Sequence, residues 1–228
     1  MKFRLHNTIG GRLLLWFLVL SLLPIITIVL INNYYVSDEL SAKSQKNMLN
    51  TVKLTANAID DWVENKFARL EALSKDPVFQ SGDKGQIEAR LKAVLEITPE
   101  AEMIFWAFPD GNAYTSHGLT TNVGERDYFK PVISGKRAVS NLLVSKTTQQ
   151  KIVVVAVPVR GGDGRVIGLV AGTFVPETIY KLIAGTKFGE TGYAYMVDNT
   201  GLIMAHPDEK YVMNANVTQM DSESLNKA

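Results

Sequence analysis

The sequence of 228 residues contains no cysteine, only three histidines and a net charge of +1. Without cysteine the chain has no disulfide framework, no thiol nucleophile and no cysteine-ligated metal. The histidines, His6, His117 and His206, lie far apart and lack the spacing of metal ligands. A net charge near zero provides no bulk field that would attract nucleic acid. Core packing alone must hold any folded domain of this chain together.

The usual catalytic motifs are also absent from the sequence. Residues Gly161–Gly164 are rich in glycine but lack the Lys-Ser or Lys-Thr ending of a phosphate-binding loop. No G-x-S-x-G pattern occurs, so the nucleophile turn of the α/β-hydrolases is missing. We therefore predict that the chain is not an enzyme and that it carries no cofactor.

One long apolar run, from Leu13 to Ile31, contains no charged residue. A bilayer core about 30 Å thick requires about 20 apolar residues of helix. A cleavable signal peptide has a shorter apolar region and a small-residue cleavage site, and Asn32–Tyr35 offers no such site. The run predicts an uncleaved helix embedded in membrane lipid, with a buried core helix as the alternative.

The charges that flank this run predict its orientation. Lys2, Arg4 and Arg12 precede the run, whereas Asp38 and Glu39 are the first charges after it. Positively charged residues stay on the cytoplasmic side of a membrane. The N-terminus is therefore expected in the cytoplasm, and the residues from about 33 onward outside it.

A long helix is predicted after the membrane segment, because Ser37–Lys75 contains neither proline nor glycine. Lys66 is the one polar residue at a position where the apolar pattern expects a hydrophobic one. Two interpretations remain open: a stalk that pairs with its copy in a homodimer, and an amphipathic helix that covers a sheet. The apolar stripe has a spacing of three and four residues and consists of Leu49, Val52, Ala56, Ile59, Val63, Leu70 and Leu73.

The following region has the pattern of an α+β fold. Gly85–Ile97 predicts a second amphipathic helix, and the pattern then becomes extended. Turn signals at Pro109–Asn112 and Gly161–Gly164 separate apolar, β-branched segments, which indicates an antiparallel sheet of about five strands. The predicted strands are Met103–Phe108, Ala113–Thr115, Val139–Val144, Ile152–Val159 and Val166–Phe174.

The pattern begins again after a predicted helix from Pro176 to Ala184. Tyr193–Val197, a turn, and Leu202–Ala205 predict a hairpin that resembles the first hairpin of the sheet region. The residues that remain are too few and too polar to complete another five-stranded sheet. We interpret this segment as the start of a second, similar module.

Taken in order, these segments resemble the extracellular double Cache sensor domain of bacterial chemoreceptors and sensor kinases. Each motif is weak alone, and the ordered set is specific. The motifs are Ala58–Trp62, Phe108–Gly111, Glu125–Lys130, Ser134–Lys136, Val154–Val159, Asp163–Gly168, Gly189–Tyr195 and Ala205–Asp208.

The resemblance implies two PAS-like modules on one long helix, in a bacterial inner membrane, with the sensor region periplasmic or extracellular. In this family the membrane-distal module usually binds a small molecule, and a second membrane helix, a HAMP segment and an output domain normally follow. The resemblance divides the chain into a cytoplasmic tail (1–12), a transmembrane helix (13–32), a stalk helix (33–76), a distal ligand-binding module (77–186) and a partial proximal module (187–228).

Arg126 is the residue most suited to hold a ligand. Its guanidinium presents a planar fork of donors that matches a carboxylate. Tyr128 and Phe129 beside it are expected to line a pocket, and Trp106 and Tyr114 to add aromatic surface. The alternative is that Arg126 pairs on the surface with a neighbouring carboxylate and that the aromatic residues belong to the core.

The resemblance also predicts the class of ligand. In amino-acid-sensing members, a tyrosine five residues before this arginine and an aspartate on a later strand contact the ligand; Thr121 and Thr173 correspond to them here. The aspartate that receives the ammonium is thus replaced, and an unpaired ammonium is costly to bury. We predict that ordinary amino acids bind poorly and that the ligand is a small carboxylate or another solute that is not an amino acid.

A second hypothesis belongs to a different class. The chain could instead be a truncated, membrane-tethered interaction module that binds no ligand and dimerises through the long helix. Arg126 discriminates between the two hypotheses, because its replacement matters only in a receptor.

Overall fold

The computed structural model describes residues 9–220, and the side chains of residues 31–39 lie outside the description. Lys2, Arg4, Asp38 and Glu39, on which the predicted orientation rests, therefore fall outside the described side chains, as do residues 221–228 of the predicted proximal module. The helices are α1 (Ile9–Ser74), α2 (Pro77–Ser81), α3 (Lys84–Glu96), α4 (Phe129–Ile133) and α5 (Glu177–Gly185). The strands are β1 (Met103–Ala107), β2 (Asn112–Thr115), β3 (Thr120–Asn122), β4 (Ala138–Val139), β5 (Leu143–Val144), β6 (Lys151–Arg160), β7 (Val166–Phe174), β8 (Lys187–Phe188), β9 (Gly192–Tyr193), β10 (Met196–Val197) and β11 (Ile203–Ala205).

The chain divides into two compact units, residues 1–51 and residues 52–228. In the first unit, Ile9–Leu30 is long and apolar enough to cross a membrane. Among the described residues none of its most apolar window is buried in protein, which argues against the alternative of a core helix. Pro24 lies inside α1 without ending it, as membrane helices tolerate.

An antiparallel sheet forms the centre of the second unit. Its strand order is β3–β2–β1–β7–β6–β4, and β5 pairs with the other end of β6. Ile152–Val157 on β6 and Gly168–Phe174 on β7 are buried throughout. The prediction of a central strand at Ile152–Val159 is therefore confirmed, since β-branched residues fit a pleated surface that is covered on both faces.

The sheet has seven strands, so the prediction of about five was wrong in two places. The predicted strand Val139–Val144 is interrupted, because Ser140 uses its side chain in the ladder: its Oγ accepts a hydrogen bond from the Val154 amide at 2.9 Å. The additional strand, Thr120–Asn122, pairs with β2. This strand was not predicted from the sequence, because its three residues are all polar and show no alternation of apolar and polar side chains.

The two faces of the sheet pack against different partners, because successive side chains of a strand point to opposite faces. On one face, Ile104 and Trp106 of β1 join α1, α2 and α3 in a core that includes Phe67 and Leu91. On the other face, Phe105 packs with residues of α4 and with alternate residues of β6 and β7. The first is called the helix face below, and the second the cavity face.

Trp106 shows how closely the helix face is packed. Its side chain is completely buried, and its ring lies against Gly168 of β7. A Cβ atom at Gly168 would stand 2.6 Å from Cζ2 of Trp106 and 2.5 Å from the carbonyl oxygen of Ala107. Glycine at this position therefore creates the space that the indole ring fills.

The second hairpin also differs from its prediction. Met196 pairs with Ala205 and Val197 with Ile203, with an irregularity between the two pairs. Tyr193, which was expected in the same strand, pairs instead with Lys187 in a separate two-stranded ladder. The predicted strand is divided at Ala194 and Tyr195, which belong to neither ladder.

The structure bears on one of the two interpretations of the long helix, α1. Phe67 and Leu70 are buried against the sheet, which confirms the sheet-covering interpretation for this end. Leu49 and Val52, by contrast, are 54% and 45% exposed. Dimerisation through that stretch stays a prediction.

Candidate functional site

A small cavity opens on the cavity face of the sheet. Its volume is about 40 Å³, which is room for about three water molecules. Its floor is formed by β1, β6 and β7, and its rim by the segments around β3 and β5. The residues that line it are Met103, Phe105, Thr121, Val123, Arg126, Tyr128, Leu143, Ser145, Lys146, Thr147, Ile152, Val154 and Thr173.

Arg126 lies at this cavity, as predicted. A turn positions its backbone, with the Arg126 amide donating to the carbonyl oxygen of Val123 at 3.0 Å. Among the described side chains, those of residues 9–30 and 40–220, its guanidinium makes no ion pair with a carboxylate. Asp127, the expected surface partner, instead accepts a hydrogen bond from the Tyr128 amide at 2.8 Å. The guanidinium is thus available to an anion in the cavity.

Tyr128 forms part of the wall and is 3% exposed. Burial raises the pKa of its phenol, and the positive charge of Arg126 opposes that rise only in part. The phenol therefore stays neutral at physiological pH. A neutral phenol next to a guanidinium adds one hydrogen-bond donor for an anionic ligand.

Thr173 completes the predicted set at the cavity. It lies on β7 between Met103 and Val154 and is 2% exposed. Its hydroxyl donates to Oε2 of Glu102 at 2.6 Å. Glu102 was not predicted, because only the register of β1 against β7 brings its carboxylate to Thr173.

A second cation, Lys146, also lines the cavity and was missed from the sequence. Its ammonium donates to the carbonyl oxygen of Asn122 at 3.2 Å. Ser145, beside it, accepts hydrogen bonds from the amides of Thr147 and Thr148 at 3.3 and 3.2 Å. These residues lie in the polar turn between β5 and β6, and nothing in the sequence connected that turn with a binding site.

Three predicted aromatic contacts are not brought to the cavity. Trp106 and Tyr114 lie on the helix face, where the ring of Phe108 packs edge-on against both, with centroids 4.3 and 5.7 Å away. The strand alternation that directs Phe105 toward the cavity directs Trp106 away from it. Phe129 is buried near Tyr128 but does not line the cavity. For Trp106 and Tyr114 the structure agrees with the alternative of a role in the core.

Within the described part of the chain, no group of three or more His, Asp or Glu side chains could hold a metal ion. The site offers a guanidinium, an ammonium and hydroxyl groups around an apolar floor. Such an arrangement binds and orients a small polar solute.

Comparison with known proteins places the chain in a family. The sequence profile of the Cache domain matches residues 36–227. The chain belongs to the Cache domain family. The resemblance proposed from the ordered motifs is therefore confirmed, as is the mixed fold with an apolar helix, a long helix and an antiparallel sheet.

The relatives of this Cache chain are chemotaxis receptors. It is 24% identical over 172 residues to the methyl-accepting chemotaxis protein PctB of Pseudomonas aeruginosa, covering 72% of this chain and 26% of PctB. The chain thus spans about a quarter of the length of that receptor.

Solved structures share its fold. The ligand-binding domain of the Pseudomonas fluorescens chemoreceptor CtaA, in complex with L-serine, aligns with a TM-score of 0.61 and 20% identity, over 74% of this chain and 75% of that one. The ligand-binding domain of the Pseudomonas aeruginosa chemoreceptor PctC, in complex with GABA, aligns with a TM-score of 0.62 and 24% identity, over 74% and 78%.

Proposed function

We propose that this Cache chain is the extracytoplasmic input of a bacterial chemoreceptor and that it binds a small carboxylate-bearing solute in the cavity beside Arg126. One observation carries the proposal: Arg126 lines a cavity, and its guanidinium has no carboxylate partner among the described residues. A buried or partly buried cation without a partner is costly. A carboxylate ligand would supply that partner through two parallel hydrogen bonds.

Each lining residue has a role in this proposal. Arg126 binds the carboxylate, the Tyr128 phenol donates a further hydrogen bond, and Phe105 and Val154 provide apolar contact. The small volume favours a ligand of few atoms. The N-terminal helix anchors the domain in the membrane, with its N-terminus in the cytoplasm.

The ligand class needs revision on one point. The prediction that ordinary amino acids bind poorly has no support among the structural neighbours, because CtaA and PctC were solved with L-serine and GABA. Both compounds carry a carboxylate, which fits the role proposed for Arg126. Both also carry an ammonium, so a proposal for this chain should include ammonium-bearing carboxylates.

The test uses the full chain in lipid nanodiscs and calorimetric titration with acetate, propionate, L-alanine and GABA. At least one of these should bind, and Arg126→Ala should weaken its binding at least tenfold, because about 1.5–3 kcal/mol of charge-assisted hydrogen bonding is lost. Arg165→Ala is the matched control, since Arg165 is exposed and pairs with Asp163 at 2.5 Å. If none of the four compounds binds at 10 mM or below, or if both variants lose affinity equally, the proposal is wrong.

A tethered interaction module remains the second candidate. The observation in its favour is the exposure of large apolar side chains on α1, including Leu40, Met48 and Leu49. We propose that this stretch pairs with a second copy, which is compatible with ligand binding elsewhere. Under this candidate alone, replacement of Arg126 should change little.

A further inference from the structure

The cavity beside Arg126 is bordered by two cations and by no acidic side chain. Of the residues that line it, Arg126 and Lys146 carry a positive charge, and none is aspartate or glutamate. Two carboxylates, those of Glu102 and Asp127, accept hydrogen bonds from lining residues, but neither of them lines the cavity itself. The cavity therefore has two positive charges that no lining residue neutralises.

Lys146 lies at the rim of this cavity, where the turn between β5 and β6 approaches the end of β3. Its ammonium donates to the carbonyl oxygen of Asn122 at 3.2 Å, and the neighbours of Asn122 in the sequence, Thr121 and Val123, both line the cavity. This bond uses one of the three protons of the ammonium, and its acceptor is neutral. Among the described side chains Lys146 makes no ion pair with a carboxylate. The ammonium is thus held at the cavity with its charge unpaired.

The second cation discriminates among the groups that a carboxylate ligand can carry at its other end. A carboxylate bound by Arg126 neutralises one charge and leaves Lys146 unpaired. A second anionic group would be attracted to that ammonium and would form a charge-assisted hydrogen bond with it. A neutral amide would gain a weaker hydrogen bond, and a second ammonium would be repelled. The electrostatics of the rim therefore favour a ligand with two negative charges.

We propose that the ligand is a short dicarboxylate, with one carboxylate on the guanidinium of Arg126 and the other on the ammonium of Lys146. This inference rests on the proposed function and narrows the ligand from any small carboxylate to one with two anionic ends. The cavity volume of about 40 Å³ requires few atoms between the two carboxylates. Because Lys146 is exposed, water and salt screen its contact in part, so Lys146 sets the preference among ligands while Arg126 provides most of the affinity.

Three probes of nearly equal size test the proposal: malonate, malonamate and β-alanine. Besides its first carboxylate, malonate carries a second one, malonamate a neutral amide and β-alanine an ammonium. With the full chain in nanodiscs at neutral pH and low salt, calorimetry should show malonate binding about fivefold or more tightly than malonamate, and β-alanine binding most weakly. Added salt should reduce the preference for malonate, because it screens exposed charges.

Substitutions of Lys146 test its role directly. Lys146→Gln removes the charge and should reduce the ratio of the malonate and malonamate affinities to below about twofold, with little change in the affinity for malonamate. Lys146→Arg keeps the charge and should retain the preference. Lys146→Glu reverses the charge, and β-alanine should then bind more tightly than malonate.

The matched control is Lys92→Gln, which removes an exposed lysine of α3, a helix that packs on the helix face of the sheet. It should leave the ratio of the malonate and malonamate affinities unchanged. Circular dichroism identifies any variant that fails to fold, and the remaining substitutions of Lys146 then decide the result.

The outcomes separate this inference from the proposed function. If malonate and malonamate bind the wild-type chain equally, or if their ratio persists in Lys146→Gln, the assignment of a second carboxylate to Lys146 is wrong. Carboxylate binding at Arg126 then still stands, provided that Arg126→Ala weakens both probes. An equal fall of the ratio in Lys92→Gln would indicate an effect of net charge alone and would also overturn the assignment. Failure of acetate, propionate, L-alanine and GABA to bind would instead overturn the proposed function, and this inference with it.

Discussion

The ammonium of Lys66 lies 3.2 Å from Oε1 of Glu100, and it stands 5.0 Å above the ring of Phe174. This explains the one polar residue in the apolar stripe of the long helix: its stem packs in the helix-face core while its charge pairs with a carboxylate at the edge. Arg69 contacts the same oxygen of Glu100 at 2.5 Å but is largely exposed.

Glu100→Gln should destabilise the chain by about 1–3 kcal/mol, because it leaves the Lys66 ammonium largely buried without its carboxylate. Lys66→Met should cost less, since methionine keeps the contacts with Phe174 and removes the charge. Chemical denaturation measures both. Glu88→Gln, which removes an exposed pair with Lys84 at 3.9 Å, is the control and should change stability by less than about 0.5 kcal/mol. Equal losses for Glu88→Gln and Glu100→Gln would contradict this account.

The same pair predicts a pH dependence. Burial alone would raise the pKa of Glu100, but its hydrogen bonds and the charges of Lys66 and Arg69 lower it below the usual 4.5. A carboxylate with a lowered folded-state pKa stabilises the fold at pH values above its unfolded pKa, and this contribution is lost as the pH falls through the folded-state pKa. The stability difference between wild type and Glu100→Gln should therefore be constant near pH 7 and shrink below pH 4.5. A difference that grows with acidification would refute the assignment.

Gly168→Ala should destabilise the fold by about 1–3 kcal/mol, because the added methyl group would overlap the indole of Trp106. Gly162→Ala lies in the turn between β6 and β7 and meets no atom within 4 Å, so it should change the free energy of unfolding by less than about 0.5 kcal/mol. Thermal denaturation of both variants checks the prediction, which fails if the two melt at the same temperature.

Tyr128→Phe should weaken ligand binding about threefold to tenfold, because it removes one hydrogen-bond donor from the cavity. Folding stability should change little, since packing of the ring is kept. Tyr114→Phe is the matched control on the helix face and should leave affinity unchanged. Calorimetry with the tightest-binding probe gives both values. If Tyr114→Phe weakened ligand binding as much as Tyr128→Phe, Tyr114 would have to contact the ligand, and the assignment of Tyr114 to the core would be wrong.

The absence of cysteine allows a direct test of dimerisation. Leu49→Cys and Val52→Cys place one thiol on the apolar stripe of α1, and Leu54→Cys places one on another side of the helix. In membranes under mild oxidation, the first two should form disulfide-linked dimers faster than the third, because a disulfide requires Cα atoms about 4.4–6.8 Å apart. Equal yields for all three, read on non-reducing gels, would argue against pairing through this stripe.

The sequence predicted the parts of this fold that depend on local pattern. The membrane run, the helix at 84–96 and the strands β6 and β7 were visible because their periodicity and turn residues are local signals. Arg126 and Tyr128 were found because their chemistry suits a carboxylate. The sequence could not reveal which face of β1 borders the cavity, and Trp106 was therefore wrongly predicted to line the cavity.

Other features depend on contacts between distant residues. Glu102 and Thr173 are 71 positions apart, and only the pairing of β1 with β7 joins them. Lys146 reaches the site because the chain turns back after β5. The predicted strand Val139–Val144 breaks at Ser140 because the Ser140 hydroxyl, and not a backbone carbonyl, accepts the hydrogen bond of the Val154 amide. The apolar residues on both sides of Ser140 hide this break in the sequence.

The separation of the two faces of the sheet has a consequence for spectroscopy. Trp62 and Trp106 pack on the helix face, Trp62 edge-on against Phe174 with ring centroids 5.9 Å apart, and Trp16 belongs to the apolar segment. None of the three lines the cavity. A change in tryptophan fluorescence, excited at a wavelength that tyrosine does not absorb, would therefore report movement passed from the cavity to the helices on addition of solute.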